Sequence, residues 1–325
     1  IPEGTVVFPR EPLVKVTAPI MQAQLVETAL LNIINHQSLI ATKANRIVRA
    51  AKGRGVMEFG TRRAHGAEAA IFGARAAYIG GCVGTACAIA DRDHGIKALG
   101  TMAHSWVQMY EDEYSAFKKY AEIYPDNCTL LVDTYNVLKS GVPAAIKVFK
   151  EMKPKNMGIR IDSGDVAYLT KRARAMLDAA GLEECKIVVS NSLDEYIIRD
   201  VIMEGACIDS FGVGERLITA KSEPVFGGVY KLVALESGGN LIPKIKISEN
   251  IEKITNPGFK HLYRLYDKET GKTRGDVITV FDETVPEVDE YEIFDPNAVW
   301  KRTKIRDYFV RDLRVQIFEK GKCVY

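Results

Sequence analysis

Long hydrophobic runs are missing from this 325-residue chain. No apolar stretch approaches the roughly 18 residues a membrane-spanning helix needs, so no segment reads as one. Charge of one sign is also missing. The 44 Lys and Arg against 42 Asp and Glu leave a net charge of +2, and the two signs are interspersed. That balance argues against nucleic-acid or membrane-surface binding, which calls for a basic block. Cysteine is sparse: six residues, at 82, 87, 128, 185, 207 and 323, mostly flanked by apolar neighbours. Cys82 and Cys87 lack a second Cys or His pair at metal spacing, which leaves no zinc site. The set reads as reduced, mostly buried thiols of a cytoplasmic protein. A Gly-x-x-x-x-Gly-Lys-Ser/Thr loop is absent, and no Gly-x-Gly-x-x-Gly follows a first strand, so a nucleotide P-loop is excluded. Internal repeats, low-complexity segments and a signal peptide are not found. The chain opens on Ile1, and residues 315–325 read like a strand and turn cut in mid-stride, the pattern of a fragment of a longer protein.

What is present is a 47% hydrophobic composition, enough for one large domain or two smaller ones. Residues 5–8 and 13–16 are short β-type runs separated by prolines. Pro19 opens an apolar helical stretch to about Lys52, with a break expected near His36-Gln-Ser38, and Gly53 follows its end. From Val56 to Gly214 short apolar strands read at 56–60, 81–84, 96–99, 129–133, 157–162, 186–190 and 207–212, mostly separated by helical patterns. After Asp165, for example, Val166, Leu169, Ala173, Met176, Leu177 and Ala180 share one side and Gly181 ends the run. Strand-helix alternation of this kind implies a parallel sheet or a (β/α) barrel. Seven strands favour an irregular, incomplete barrel, with an open doubly wound sheet as the alternative.

Beyond about Pro224 the helical pattern stops. Residues 229–235 and 242–247 around Gly238-Gly239-Asn240 read as one hairpin, and 261–281 around the Asp267–Lys272 turn as a second. The expected organisation is a discontinuous small β-rich domain from 1–18 and 225–325. Residues 19–224 would form a helical lead-in and the irregular α/β barrel carrying the active site.

In a parallel barrel the C-terminal strand ends are where ligands bind. Here they are polar: Thr61-Arg62-Arg63, Gly84-Thr85, Thr101 with His104, Asp133-Thr134-Tyr135, Arg160 with Asp162 and the Ser163-Gly164-Asp165 turn, Ser190-Asn191-Ser192, and Gly212-Val213-Gly214. His104 stands in Gly100-Thr-Met-Ala-His104-Ser105-Trp106, between the expected strand at 96–99 and a long amphipathic helix from Trp106 to about Tyr124. Its imidazole is an acid, base or nucleophile near neutral pH, or else a histidine that only caps or fills the turn. Arg160 and Asp162 are two apart on a strand and share a face. They read either as a buried salt bridge or as a guanidinium for an anion beside a carboxylate for sugar hydroxyls or a metal. Ser190, Asn191, Gly212 and Gly214 offer small-residue and backbone donors for a phosphate after the late strands. His65 reads as a partner of the arginines, His94 as solvated at the opposite end, and His36 and His261 as structural.

Taken together, Glu58-Phe-Gly-Thr-Arg62-Arg63-Ala-His65, the His104 segment, Arg160-Ile-Asp162-Ser-Gly-Asp165 and Ser210-Phe-Gly-Val-Gly214 resemble the nicotinate phosphoribosyltransferase family. Residues 246–253 and Pro257-Gly258 are similar to its hairpin region. The resemblance implies an irregular, incomplete α/β barrel with a smaller discontinuous α/β sandwich-type domain. It implies that nicotinate condenses with phosphoribosyl pyrophosphate to nicotinate mononucleotide and pyrophosphate in NAD biosynthesis, coupled to ATP hydrolysis. By that resemblance His104 is the residue ATP phosphorylates, and Arg160 grips the nicotinate carboxylate with Ser105 nearby. Asp162 faces the ribose and Arg62 lies near the pyridine and phosphates. Thr85 is a further substrate contact, and Ser190, Asn191, Gly212 and Gly214 hold the 5′-phosphate. Mg²⁺ as cofactor, ATP as co-substrate and a homodimer come with it, and no metal site built by the protein alone. Two departures stand out: the chain starts after the family's N-terminal aromatic that stacks on the pyridine, and Glu215 replaces a Thr found in some members. A nicotinamide-specific relative and a catalytically inert ligand-binding fragment are the alternatives.

Overall fold

The computed structural model describes residues 1–249 and 254–325. It resolves into two compact units, Ile1–Leu31 with Val229–Tyr325, and Asn32–Gly228. The sequence reading divided the chain at 18/19 and 224/225.

Residues 5–8 and 13–16 form no strands, contrary to expectation. Prolines at 2, 9 and 12 deny them ladder donors. Side chains hold the segment instead: Arg264 donates to the Val6 carbonyl at 2.7 Å and Lys15 to the Lys260 carbonyl at 2.6 Å. Helices α1 (Ile20–Leu25) and α2 (Glu27–Ala50) follow Pro19. The interruption falls at Val26, and the break expected at 36–38 does not exist.

The larger unit is built on a parallel six-stranded sheet. Its strands are β1 (Gly55–Glu58), β2 (Gly84–Thr85), β3 (Cys128–Leu131), β4 (Met157–Ile161), β5 (Lys186–Asn191) and β6 (Ser210–Val213). Their order is β2-β1-β6-β5-β4-β3, so first and last strands pair and the seam lies between β2 and β3. That cyclic order is an incomplete barrel and not an open doubly wound sheet. Both faces are covered, as parallel sheets require. Ile159, Ile161, Ile187, Val189, Phe211 and Val213 are all fully buried.

The strand expected at 96–99 reduces to a single bridge from Ala98 to Thr85 at the seam. Gly95 in the left-handed conformation (φ 65°) precedes it, and only Ile96 turns inward. The 97–99 backbone nonetheless lies close to β2, since a Cβ on Gly84 would meet the Lys97 carbonyl at 2.6 Å.

Between the strands run α3 (Ala67–Ile79), α4 (Ala88–His94), α5 (His104–Gln108), α6 (Glu113–Ile123), α7 (Val142–Met152), α8 (Val166–Ala179), α9 (Glu195–Met203) and the short α10 (Glu215–Ile218). The single helix read from Trp106 to Tyr124 is two, α5 and α6. Asp112 caps α6 by accepting the Ser115 amide at 2.7 Å, and that cap breaks the run. Asp165 and Asp194 cap α8 and α9 in the same way. Burial pushes the thiols of Cys82, Cys128 and Cys185 up to about 12, and all six cysteines are free.

The smaller unit is antiparallel. Its strands are β7 (Ala234–Ser237), β8 (Asn240–Pro243), β9 (Lys260–Asp267), β10 (Thr273–Val280), β11 (Glu290–Asp295), β12 (Ala298–Arg306), β13 (Tyr308–Asp312), β14 (Phe318–Glu319) and β15 (Lys322–Cys323). The expected hairpins are present, the first with shorter strands around Gly238 and Gly239, both at positive φ as a tight two-residue turn demands. Leu265, Ile305 and Tyr308 form the core here, and Arg264 pairs with Asp276 at 2.7 Å while almost fully buried. Residues 250–253, part of the hairpin resemblance, lie outside the described residues. No helix among the described residues is long and apolar enough to cross a membrane.

Candidate active site

The C-terminal ends of β3, β4 and β5 carry one connected polar circuit. Arg160, on β4, spends three of its donors on protein. Its Nε donates to Ser190 Oγ at 2.6 Å, Nη1 to Thr101 Oγ1 at 2.8 Å and Nη2 to Asp162 Oδ1 at 2.9 Å. Ser190, on β5, donates in turn to the same Asp162 oxygen at 2.6 Å. A guanidinium has five N–H groups, so Arg160 keeps two for another acceptor. It is 17% exposed, and its Cζ lies 5.5 Å from the Phe59 ring centroid. The pair is thus a salt bridge with unspent donors, which joins the two readings its spacing allowed.

Asp133 extends the circuit. Its Oδ2 accepts the Asp162 amide at 3.0 Å and the Ser163 hydroxyl at 2.6 Å, and its Oδ1 meets His104 Nε2 at 3.0 Å. The Asp133 side chain is 1% exposed and the His104 ring 42% exposed. A buried carboxylate therefore orients a half-open imidazole. His104 is the first residue of α5, after Ala103, and its side chain caps nothing. With Nε2–H directed at Asp133, Nδ1 bears the lone pair.

Other expected site residues stand elsewhere. Arg62 is exposed on the short 3-10 turn Thr61–Arg63. Thr85 is fully buried and its hydroxyl is spent, donating to Glu58 Oε2 at 2.5 Å and accepting the Cys87 amide at 3.0 Å. Ser105 is exposed, and among the described residues no hydrogen bond joins it to the circuit. Asn191 is exposed and accepts the Ser192 amide at 2.7 Å. Gly212 makes room for an aromatic ring: a Cβ there would meet the Phe59 ring at 2.4 Å. Gly214 precedes α10, and Glu215 points its carboxylate at Lys221, 3.4 Å away. His65 is exposed, His94 ends α4 in solvent, and burial holds half-buried His36 below the usual imidazole range.

Sequence reasoning undervalued three residues. Asp133 and Thr101 were only polar strand ends, and Phe59 only a letter in a motif. Their signal was position: Asp133 lies just beyond β3, Phe59 just beyond β1, and Thr101 three residues before His104. A cavity of about 380 Å³ opens beside Asp133 and Ser163, bordered by Tyr135, Asn136, Lys139 and Tyr168. A second of similar size, bordered by Asp267, Arg274 and Arg306 in the smaller unit, holds only charged surface groups. Among the described residues no group of three or more His, Cys, Asp or Glu can hold a metal.

The family model for nicotinate phosphoribosyltransferase matches residues 55–268, and the model for that family's C-terminal domain matches 259–325. The chain belongs to the nicotinate phosphoribosyltransferase family. It is 48% identical over 325 residues to the Bacillus subtilis nicotinate phosphoribosyltransferase, a match covering 99% of this chain and 66% of that protein. It is 44% identical over 287 residues to a Mycobacterium tuberculosis nicotinate phosphoribosyltransferase, covering 88% and 60%. The chain thus spans about two thirds or less of these relatives' length. The crystal structure of human nicotinic acid phosphoribosyltransferase superposes on all of this chain and 72% of that one, with a TM-score of 0.81 at 26% identity.

Proposed function

We propose that this chain forms the catalytic barrel of a nicotinate phosphoribosyltransferase, which joins nicotinate to 5-phosphoribosyl 1-pyrophosphate for NAD biosynthesis. The observation that carries the reading is the circuit His104–Asp133–Asp162–Arg160–Ser190 at one end of the parallel sheet. Arg160 offers its two unspent N–H groups to the nicotinate carboxylate, in the parallel geometry that suits guanidinium and carboxylate. The pyridine nitrogen attacks the anomeric carbon, its bond to pyrophosphate oxygen breaks, and the electron pair leaves with pyrophosphate. Asp162 would hold ribose hydroxyls and oppose the developing positive charge. Mg²⁺ arriving with the substrate's phosphates would neutralise the leaving group, and Asp162 is the residue that would share it. The 5′-phosphate would lie at the ends of β5 and β6, with Asn191 and the Gly214 backbone as its donors, since Ser190 spends its hydroxyl on Asp162 and the Phe59 ring takes the space at Gly212.

His104 serves a separate step. Its Nδ1 attacks the γ-phosphorus of ATP, ADP departs, and Asp133 stabilises the charged ring through Nε2–H. Hydrolysis of the phosphohistidine then returns the neutral imidazole. ATP as co-substrate, a homodimer and a cytoplasmic setting belong to this reading through the family resemblance. A nicotinamide-specific enzyme fits less well, because Arg160 presents only donors and a carboxamide also needs an acceptor for its own N–H groups.

Incubation with γ-labelled ATP tests the ATP step. Acid-labile, base-stable label is expected on His104 and absent from His104→Ala. Label that persists in His104→Ala, or none on the folded wild-type protein, overturns it.

A further inference from the structure

A fully buried carboxyl group lies outside the circuit. Glu58 is fully buried at the end of β1, directly paired in register with fully buried Thr85 at the end of β2. Both of its oxygens are used. Oε2 accepts the Thr85 hydroxyl at 2.5 Å, and Oε1 accepts the Gly60 amide from two residues ahead. Thr85 is fixed in its turn by the Cys87 amide, and the Glu58 carbonyl accepts the Ala86 amide at 2.8 Å. Burying a carboxyl group is costly, and filling the core would need only an apolar side chain. What the carboxyl group gains is geometry.

The turn it holds carries two residues of interest. Phe59 donates its amide to the Val213 carbonyl at 2.8 Å, and its ring lies across Gly212 with the Arg160 guanidinium on it. The Gly60 carbonyl accepts the Arg63 amide at 2.7 Å, which starts the turn bearing Arg62. Gly60 itself has no room to shift, for a Cβ would meet Ile218 at 2.6 Å and the Gly214 carbonyl at 2.8 Å. Glu58 therefore grips the one peptide from which both residues hang.

We propose that Glu58 and Thr85 are a positioning pair that fixes the Phe59–Arg62 turn against Arg160, and so sets the affinity for nicotinate. Thr85 is then no substrate contact, since its hydroxyl is committed inside the fold. The consequence for affinity rests on the functional reading above; the geometry does not.

Two measurements separate the layers. Hydrogen exchange on the unliganded full chain reads the geometry without any reaction. In Glu58→Ala and the near-isosteric Thr85→Val, peptides covering 59–63 exchange at least about tenfold faster, while β4 and β5 keep their protection. Glu58→Gln, which retains an acceptor for Gly60, stays within about threefold of wild type. Kinetics then read the consequence. KM for nicotinate rises about tenfold in Glu58→Ala and Thr85→Val with kcat within about threefold, and Glu58→Gln restores KM. Unchanged exchange at 59–63 in both variants overturns the positioning claim, whatever the activity. Faster exchange with unchanged KM in an active enzyme shows a merely structural pair and overturns it too. Faster exchange in a wild-type background that makes no nicotinate mononucleotide supports the geometry and instead sinks the functional reading.

Discussion

The two halves of the parallel sheet do different work with different materials. On β3, β4 and β5 the strand ends bear charged and hydroxyl side chains, tied by hydrogen bonds of 2.6–3.0 Å into one circuit. On β1, β2 and β6 the corresponding ends bear a buried Glu-Thr pair, glycines and an aromatic ring. The first half concentrates charge, as the proposed reaction's substrate anion and developing cation would require. The second shapes space, and its polar groups are turned inward to hold backbone. Position at a strand's C-terminal end therefore identifies the functional end of the barrel, and the direction each side chain takes decides what the residue does there.

The contrast predicts a hierarchy of effects. Arg160→Ala removes the hub of the charged half, and kcat/KM for nicotinate should fall about 10³-fold, roughly 4 kcal/mol, in steady-state kinetics. Arg160→Lys keeps the charge without the fork and should remain at least about tenfold impaired. Asp133→Asn comes next. It leaves one accepting oxygen where the carboxylate has two, so it cannot serve both His104 Nε2–H and the Asp162 amide with the Ser163 hydroxyl, and the fixed geometry of the ring is loosened. ATP-stimulated turnover should drop about 10- to 100-fold, and the ATP-independent rate should fall by less, because Asp133 also anchors the Asp162 amide. Gly212→Ala probes the spatial half. Its Cβ would sit 2.4 Å from the Phe59 ring, and overpacking should cost about 1–3 kcal/mol of stability, read by denaturant unfolding. Its kcat should fall far less than that of Arg160→Ala. Equal losses of kcat at Gly212 and Arg160 would erase the distinction between the halves.

Much of this was legible in the sequence, for identifiable reasons. Strands β3 to β6 are largely apolar runs, and polar residues lie at or just beyond the ends of β3, β4 and β5, so both fold class and the charged half of the site could be read. Asp165 and Gly181 bracket α8 because caps are local chemistry. The failures share a cause. The 96–99 segment looks like a strand but meets a two-residue partner at the seam, and pairing is not a local property. Residues 5–8 and 13–16 have β composition but lie among prolines, and are held by Arg264 and Lys15 side chains from or to distant positions. Thr85 looked available because its hydroxyl's partner, Glu58, lies 27 residues away in sequence. Asp133 gained its place only when β3 and β4 were set side by side, bringing its carboxylate to His104 and to the Asp162 amide at once.

The proposed reaction, transfer of a phosphoribosyl group to nicotinate, depends on the circuit around Asp162 and Arg160. The most direct test is the initial rate of nicotinate mononucleotide formation from nicotinate and 5-phosphoribosyl 1-pyrophosphate, by the wild-type protein and by Asp162→Asn. Wild type is expected to form product with one pyrophosphate released per turnover, and the variant to be slower by about 10²- to 10³-fold. No product from the folded wild-type protein, or an undiminished rate in Asp162→Asn, would contradict the proposal.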